Sequence, residues 1–267
     1  MRALAFLNLA GLSSRAAVAH SAVMAASSSA EFPIMRGDAL DFYLAQGYYR
    51  MQQDLFTCQF VPFNSRLYTA HWLRIDLARV EWGPEQRRLL RRNARFTATI
   101  CPFRLTEEYE ELYARYCAAI TFDAAPTIEA VLLGGAPHNV FNTQIIELRD
   151  EGKLIAAGIL DYGERTLAGI LNFYDPSYHR HSLGKYLLLL KTDYARRRHL
   201  NYYYPGYLVH DYPKFNYKLF ACAAATEVFD SISSQWLPFS WEVVRANSAV
   251  LFAEWLPEDF RGATTND

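Results

Sequence analysis

Residues 143–204, TQIIELRDEGKLIAAGILDYGERTLAGILNFYDPSYHRHSLGKYLLLLKTDYARRRHLNYYY, decide the fold. Thr143 to Leu148 reads as a strand, Arg149 to Lys153 as a turn containing a glycine, and Leu154 to Leu160 as the returning strand of a hairpin. Gly163-Glu164 marks a second turn and Leu167 to Tyr174 a third strand. Asp175-Pro176 is an irregular link, after which Ser182-Leu183-Gly184 leads into an apolar helix, Lys185 to Arg198, and a short aromatic strand, Tyr202 to Tyr204. The order β-β-β-α-β predicts an α+β fold of the N-acetyltransferase-like (GNAT-like) kind. In that arrangement helices flank a mixed, mostly antiparallel sheet that splays near the site.

Upstream, Asp38 caps a short helix through Leu40, Tyr43 and Leu44 that stops at Gly47. From Leu67 to Leu77, apolar Leu73, Ile75 and Leu77 alternate with Arg74 and Asp76, the pattern of a half-buried strand. Gly83-Pro84 opens a helix that runs to Asn93, a strand follows at Phe96 to Ile100, and Thr106 with Glu107 and Glu108 starts a helix toward Cys117. Asp123 to Asn142 is mixed, with a loop at Gly134-Gly135 and Pro137. The stretch Met1 to Glu31 is rich in Ala and Ser, carries Arg2 and Arg15, and has no acid before Glu31. It reads as a disordered leader or spurious extension ahead of a folded chain that begins near Met35. Asn8, which breaks the apolar run Ala3 to Leu12, argues against a signal peptide.

Composition narrows the class. Of 267 residues, 51% are hydrophobic and 21% charged, and 27 Lys plus Arg stand against 28 Asp plus Glu, so disorder and nucleic-acid binding by bulk charge are both excluded. No run approaches the roughly 18 apolar residues of a membrane span. Cys58, Cys101, Cys117 and Cys222 include no C-x-x-C pair, which argues against a zinc or iron-sulfur site and reads as reduced thiols of a cytoplasmic protein. His179 and His181 form an H-x-H with no acid or cysteine spaced to join them, so no metal is expected.

Charge is nonetheless clustered. Between Glu85 and Arg104 there are six arginines and one acid, a local +5, and Glu107, Glu108, Glu110 and Glu111 follow. On a helix Arg88, Arg91 and Arg92 share one face, which suits either a nucleic-acid backbone or a solvated surface paired with those acids.

Three blocks in this order, RRLLRRN at 87–93, FYDP at 173–176 with SLG at 182–184, and YPGY at 204–207 with Tyr217-Lys218, resemble the arginyl-tRNA-protein transferase family, including its bacterial leucyl-transferring members. YRMQQ at 49–53 and SLGKYL at 182–187 are particularly close to bacterial variants. The likeness extends from about Asp38 to Phe239. Members usually carry an N-terminal cysteine cluster, and this chain has only Cys58 in the corresponding place.

The resemblance implies an aminoacyltransferase that moves Arg or Leu from charged tRNA to the α-amino group of an acceptor protein, one with a free and acidic N-terminus, without cofactor or metal. With the composition of the N-terminal stretch, it predicts a leader (1–34), an N-terminal α/β region (35–105), a GNAT-like transferase domain (106–260) and a tail (261–267). It places catalysis at Tyr174, Asp175 and Gly184. Substrate binding falls to Ser182, Leu183, Lys185, Tyr204, Gly206, Tyr207, Tyr217 and Lys218, and tRNA binding to Arg88, Arg91, Arg92 and Asn93. Read physically, Gly184 either bares backbone N–H groups for a phosphate or oxyanion or permits close packing, and Asp175 is either a base or a strand-end turn residue. Rings among Tyr202, Tyr203, Tyr204 and Tyr207 would stack terminal tRNA bases, alternation allowing only one or two of the first three on one side. Lys218 either contacts acceptor phosphates or is an ordinary exposed lysine. An acyl-CoA-dependent acyltransferase of the same fold and a catalytically silent tRNA or peptide binder are the alternatives. Lys185 and Tyr186 occupy the last two positions of the loop that CoA users carry, which counts against the first.

Overall fold

The computed structural model describes residues 34–63, 66–121 and 124–255. The leader, apart from Ile34, and the 261–267 tail lie outside them. In chain order the elements are α1 (Asp38–Ala45), the hairpin strands β1 (Tyr49–Met51) and β2 (Asp54–Phe56), β3 (Phe60–Phe63), β4 (Arg66–Asp76), α2 (Pro84–Asn93), β5 (Thr97–Pro102), α3 (Glu107–Ala119) and α4 (Ile128–Leu132). There follow β6 (Thr143–Asp150), β7 (Lys153–Tyr162), β8 (Thr166–Tyr174), α5 (Leu183–Arg197), β9 (Tyr202–Val209), β10 (Thr226–Asp230), β11 (Gln235–Pro238) and α6 (Trp241–Trp255). Two 3-10 segments matter for the site, Pro176–His181 before α5 and Pro213–Phe220 after β9.

A nine-stranded sheet runs in the order β11-β10-β4-β9-β8-β7-β6-β5, with β3 added alongside β4. Every neighbouring pair is antiparallel except β8 and β9. The parallel pair is joined through α5, as parallel strands require a crossover. The expected β-β-β-α-β order and GNAT-like arrangement therefore hold. The β6–β7 turn places positive φ at Glu151 and Gly152, as tight two-residue hairpins demand.

Helices α2 and α5 cover one face, where Leu89, Ile146, Leu148, Ala156, Leu160, Leu187 and Leu189 form a buried cluster. Helices α3 and α4 cover the other, where Tyr109, Leu112, Ile128, Leu132, Ile145, Ile159 and Phe173 meet. Truncating any one of these leucines to alanine would cost about 2–5 kcal/mol. α5 is nearly all apolar in its middle and is buried accordingly. It ends without glycine: His199 adopts the left-handed conformation, and the Leu200 N–H bonds the Ala195 carbonyl, a Schellman closure. β10, β11 and α6 carry no signal that periodicity singled out.

Candidate active site

The parallel pair is short. β8 and β9 are in register only from Thr166–Tyr202 to Ala168–Tyr204, and beyond that rung the strands diverge. A cavity of about 820 Å³ opens there. That lies within the roughly 300–1,000 Å³ of small-molecule sites. Its walls come from β8, β9, the C-terminal half of α3, the start of α5, the 3-10 segment after β9, and β1 to β4.

Tyr49 occupies the apex of the splay. Its hydroxyl reaches the carbonyl oxygens of Gly169 on β8 and Tyr204 on β9, and its ring stacks on Trp72 at 5.0 Å. Beside it the Arg50 guanidinium is buried, paired to Asp161 at 2.9 Å and bonded to Thr143 Oγ1 and the Leu132 carbonyl. Gln53 donates to the same carbonyl and accepts from the Val140 N–H. The YRMQQ block thus bolts the β1–β2 hairpin across the sheet.

Helix α5 points its N-terminus at the cavity. Ser182 takes φ 51° and supplies no side-chain cap, so the first backbone N–H groups have no side-chain partner. Ser182, Gly184 and Lys185 line the cavity, whereas Leu183 is buried in the core. A Cβ on Gly184 would meet only Tyr174 Cε1 at 3.5 Å, an ordinary contact, so packing alone does not demand glycine. That favours the anion-binding alternative, in which the bare end of the helix holds negative charge.

Asp175 caps the 3-10 segment, accepting from the Ser177 N–H and hydroxyl and from Lys153 Nζ at 2.9 Å. Burial opposes its ionisation, but the Ser177 and Lys153 hydrogen bonds overcome it and hold the carboxyl at about 2. A carboxylate that weakly basic, committed to three donors and absent from the cavity lining, favours the turn-residue alternative over the base. Tyr174 does line the cavity.

The β9 tyrosines divide, with a β-bulge in the β4–β9 register resetting alternation between Tyr203 and Tyr207. Tyr203 and Tyr207 line the cavity; Tyr202 and Tyr204 pack against Arg74 and Trp236 and are not among its lining, so Tyr204 does not reach it. Gly206, with φ 97°, turns the backbone where Lys218 packs on it. Lys218 is neither exposed nor free for phosphate. It is buried, donates to the Tyr207 carbonyl at 2.6 Å, sits among the rings of Tyr207, Phe215 and Tyr217, and burial draws its pKa down to about 7. Tyr217 lines the cavity too.

Arg88, Arg91 and Arg92 are exposed on α2. Two of the four acids that could pair with them are engaged elsewhere: Glu108 binds Arg149 and Glu110 accepts the N–H groups of Ile128 and Glu129. Asn93 is not on that surface. It is buried, donating to the His181 carbonyl at 2.9 Å and bonding His181 Nδ1, and so ties the basic helix to the rim of the cavity.

Among the described residues no three His, Cys, Asp or Glu side chains converge to hold a metal. Burial pushes the Cys58 thiol up to about 12, which leaves it unreactive. No helix among the described residues is long and apolar enough to cross a membrane.

Residues 108–221 match the family "Arginine-tRNA-protein transferase, C terminus". The chain is 34% identical over 151 residues to the aspartate/glutamate leucyltransferase of Pseudomonas putida strain KT2440, covering 54% of this chain and 63% of that one. To the protein of the same name from Ruegeria pomeroyi it is 33% identical over 149 residues, covering 54% of this chain and 55% of the relative. The chain thus spans less than two thirds of the length of either. Among solved structures, the C-terminal DUF2156 domain of an Agrobacterium fabrum protein aligns with TM-score 0.45 and 16% identity over 69% of this chain and 66% of that one. The ribosomal-protein-S18-alanine N-acetyltransferase of Escherichia coli aligns with TM-score 0.28 and 20% identity over 38% of this chain and 61% of that one.

Sequence reasoning quoted the YRMQQ block without giving Tyr49 a role and missed Asn172 and Lys191; all three line the same cavity. For Lys191 a signal existed: a lone cation on the buried side of a leucine-rich helix.

Proposed function

We propose that this chain is an aminoacyl-tRNA-protein transferase of the cytoplasm, carrying leucine rather than arginine to the α-amino group of a protein with an acidic N-terminal residue. The observation that carries this reading is the lining of the cavity. It is aromatic and apolar, its charged side chains are Arg50, Lys185, Lys191, Lys214 and Lys218, and no acid stands among the described residues that line it. An arginyl side chain would bury its guanidinium there without a carboxylate from any described residue of the lining, at a cost of several kcal/mol. A leucyl side chain would gain about 1.5–3 kcal/mol from burial. The names of the relatives, aspartate/glutamate leucyltransferases, agree with both halves of the reading.

In the transfer, the acceptor nitrogen forms a bond to the ester carbonyl carbon, the bond to the ribose oxygen breaks, and that oxygen takes up the proton the nitrogen gives up. The α-amine, with a pKa of about 7.7–8.0, is partly neutral at physiological pH, and the ester is already activated. Positioning is then the main task. The uncapped N-terminus of α5 at Gly184 and Lys185 supplies N–H groups for the oxyanion or a terminal phosphate, the half-buried Tyr207 offers a ring to the terminal base, and the α2 arginines hold the tRNA backbone. Incubation with leucyl-tRNA, arginyl-tRNA or acetyl-CoA and a peptide with N-terminal Asp tests the donor class. Label should pass from tRNA in a ribonuclease-sensitive reaction; acetylation without aminoacyl transfer refutes the reading.

A further inference from the structure

Next to two residues that line the cavity, β7 carries Gly158 between Ala157 and Ile159. A Cβ on Gly158 would lie 2.9 Å from Cε of Lys191 and 3.0 Å from Oδ1 of Asn172, so a side chain from α5 and one from β8 converge on a single point over the sheet. Both residues line the cavity.

Lys191 is 1% exposed. Its amine donates to the Ile159 carbonyl at 2.7 Å and the Leu171 carbonyl at 3.2 Å, beside the β-bulge that interrupts the β7–β8 register after Ile159. Two acceptors leave the third N–H of an ammonium unclaimed. Among the described residues no carboxylate pairs with it, and Asp161, the acid whose field reaches it, is held by Arg50. Burial draws its pKa down to about 7, as for a cation short of counter-charge. Asn172 supplies the complement: its Oδ1 is buried and has no donor. An orphaned acceptor of this kind costs about 1–3 kcal/mol, a cost that a ligand N–H would relieve.

A donor with positive charge and an unfilled acceptor in one cradle suit a ligand that carries an anion and an amine a few bonds apart. An N-terminal aspartate or glutamate is such a ligand. Resting on the transferase reading, we infer that Lys191 pairs with the side-chain carboxylate of the acceptor's first residue while Asn172 Oδ1 accepts an N–H from its α-amino group. The neutral amine keeps its lone pair for the ester carbonyl, and the pair selects acidic acceptors.

The test measures leucine transfer to four peptides that differ only in an N-terminal Asp, Glu, Asn or Gln, with the wild-type chain, Lys191→Met and Asn172→Ala. The wild type should favour Asp and Glu in kcat/KM by about tenfold or more, the effect of roughly one uncompensated charge contact. In Lys191→Met that preference should collapse while KM for leucyl-tRNA stays unchanged, and Lys191→Arg should restore part of it. Asn172→Ala should raise KM for all four peptides alike. An unaltered preference in Lys191→Met, or an equal loss on all four peptides, overturns the inference, because a lysine that only satisfies bulge carbonyls would act in that way. If Lys191→Met fails to fold, Gly158→Ala replaces it. A methyl in the cradle should raise the acceptor KM and spare the donor KM, and an unchanged acceptor KM overturns the inference. A wild type that transfers leucine without preference also overturns it and leaves the transferase reading standing. Transfer to none of the four removes that reading and the inference together.

Discussion

The hydroxyl of Tyr49 lies 3.0 Å from the carbonyl oxygen of Tyr204, at the last rung before β8 and β9 part. One side chain from the first hairpin therefore sets the width of the cleft on which the proposed chemistry depends. Tyr49→Phe keeps the ring on Trp72 but leaves the Gly169 and Tyr204 carbonyls without this donor. It should cost about 1 kcal/mol in urea unfolding and lower kcat more than it raises KM for tRNA. Parental kinetics in a destabilised variant would restrict Tyr49 to a structural role.

The exposed face of α2 should account for much of the salt dependence of tRNA binding. Replacing Arg88, Arg91 and Arg92 by alanine removes three phosphate contacts, and the slope of log affinity against log salt should shrink by about 2 to 3. Asn93→Ala leaves those charges in place but releases α2 from His181. It should weaken binding without changing the slope. Equal slopes in the triple variant and the parent would show that the nucleic acid lies elsewhere.

Asp175→Asn should reveal a structural carboxylate. Against burial, Ser177 and Lys153 hold its pKa at about 2, below its ordinary value. Its contribution to stability is therefore complete above about pH 4 and is lost as pH falls toward 2. The variant should unfold about 1 kcal/mol more easily near neutrality and retain the parental shape of the rate profile above pH 5. A rate profile displaced in that range would return Asp175 to the chemistry.

Acid should loosen the docking of α6. His71 on β4 is buried and bonds Thr69 and Ser248, and burial, helped by His210, lowers its pKa to about 4. The folded chain resists protonation between 6.5 and 4, so stability is full above 6.5 and declines as pH falls through that window. The loss amounts to at most about 3 kcal/mol. His71→Gln should flatten the dependence of melting temperature on pH in this range; a wild type with constant melting temperature from pH 7 to 4 would contradict the assignment.

The stretch from Thr143 to Tyr204 announces its elements through local pattern: short apolar runs in β6 to β8 broken by Gly152, Gly163 and Pro176, and a leucine-rich helix in α5. What it cannot announce is long-range placement. Tyr49 lies 155 residues from its partner Tyr204, and Asn93 lies 88 from His181, so no local rule distinguishes them from other polar or aromatic residues. Lys218 was misread for a related reason: exposure belongs to the rings that fold over it and not to the residue type. Asp175 was legible as a strand-end turn residue, and only the position of Lys153 on the neighbouring strand shows that its charge is already engaged.

The most direct measurement offers the chain equimolar leucyl-tRNA and arginyl-tRNA with a single peptide bearing N-terminal Asp, and reads the mass of the product. The absence of acid among the described residues of the cavity predicts the leucyl peptide in large excess, formed on the α-amine and lost when that amine is acetylated beforehand. An arginyl peptide as the main product, or no aminoacyl peptide from either donor, would contradict the account.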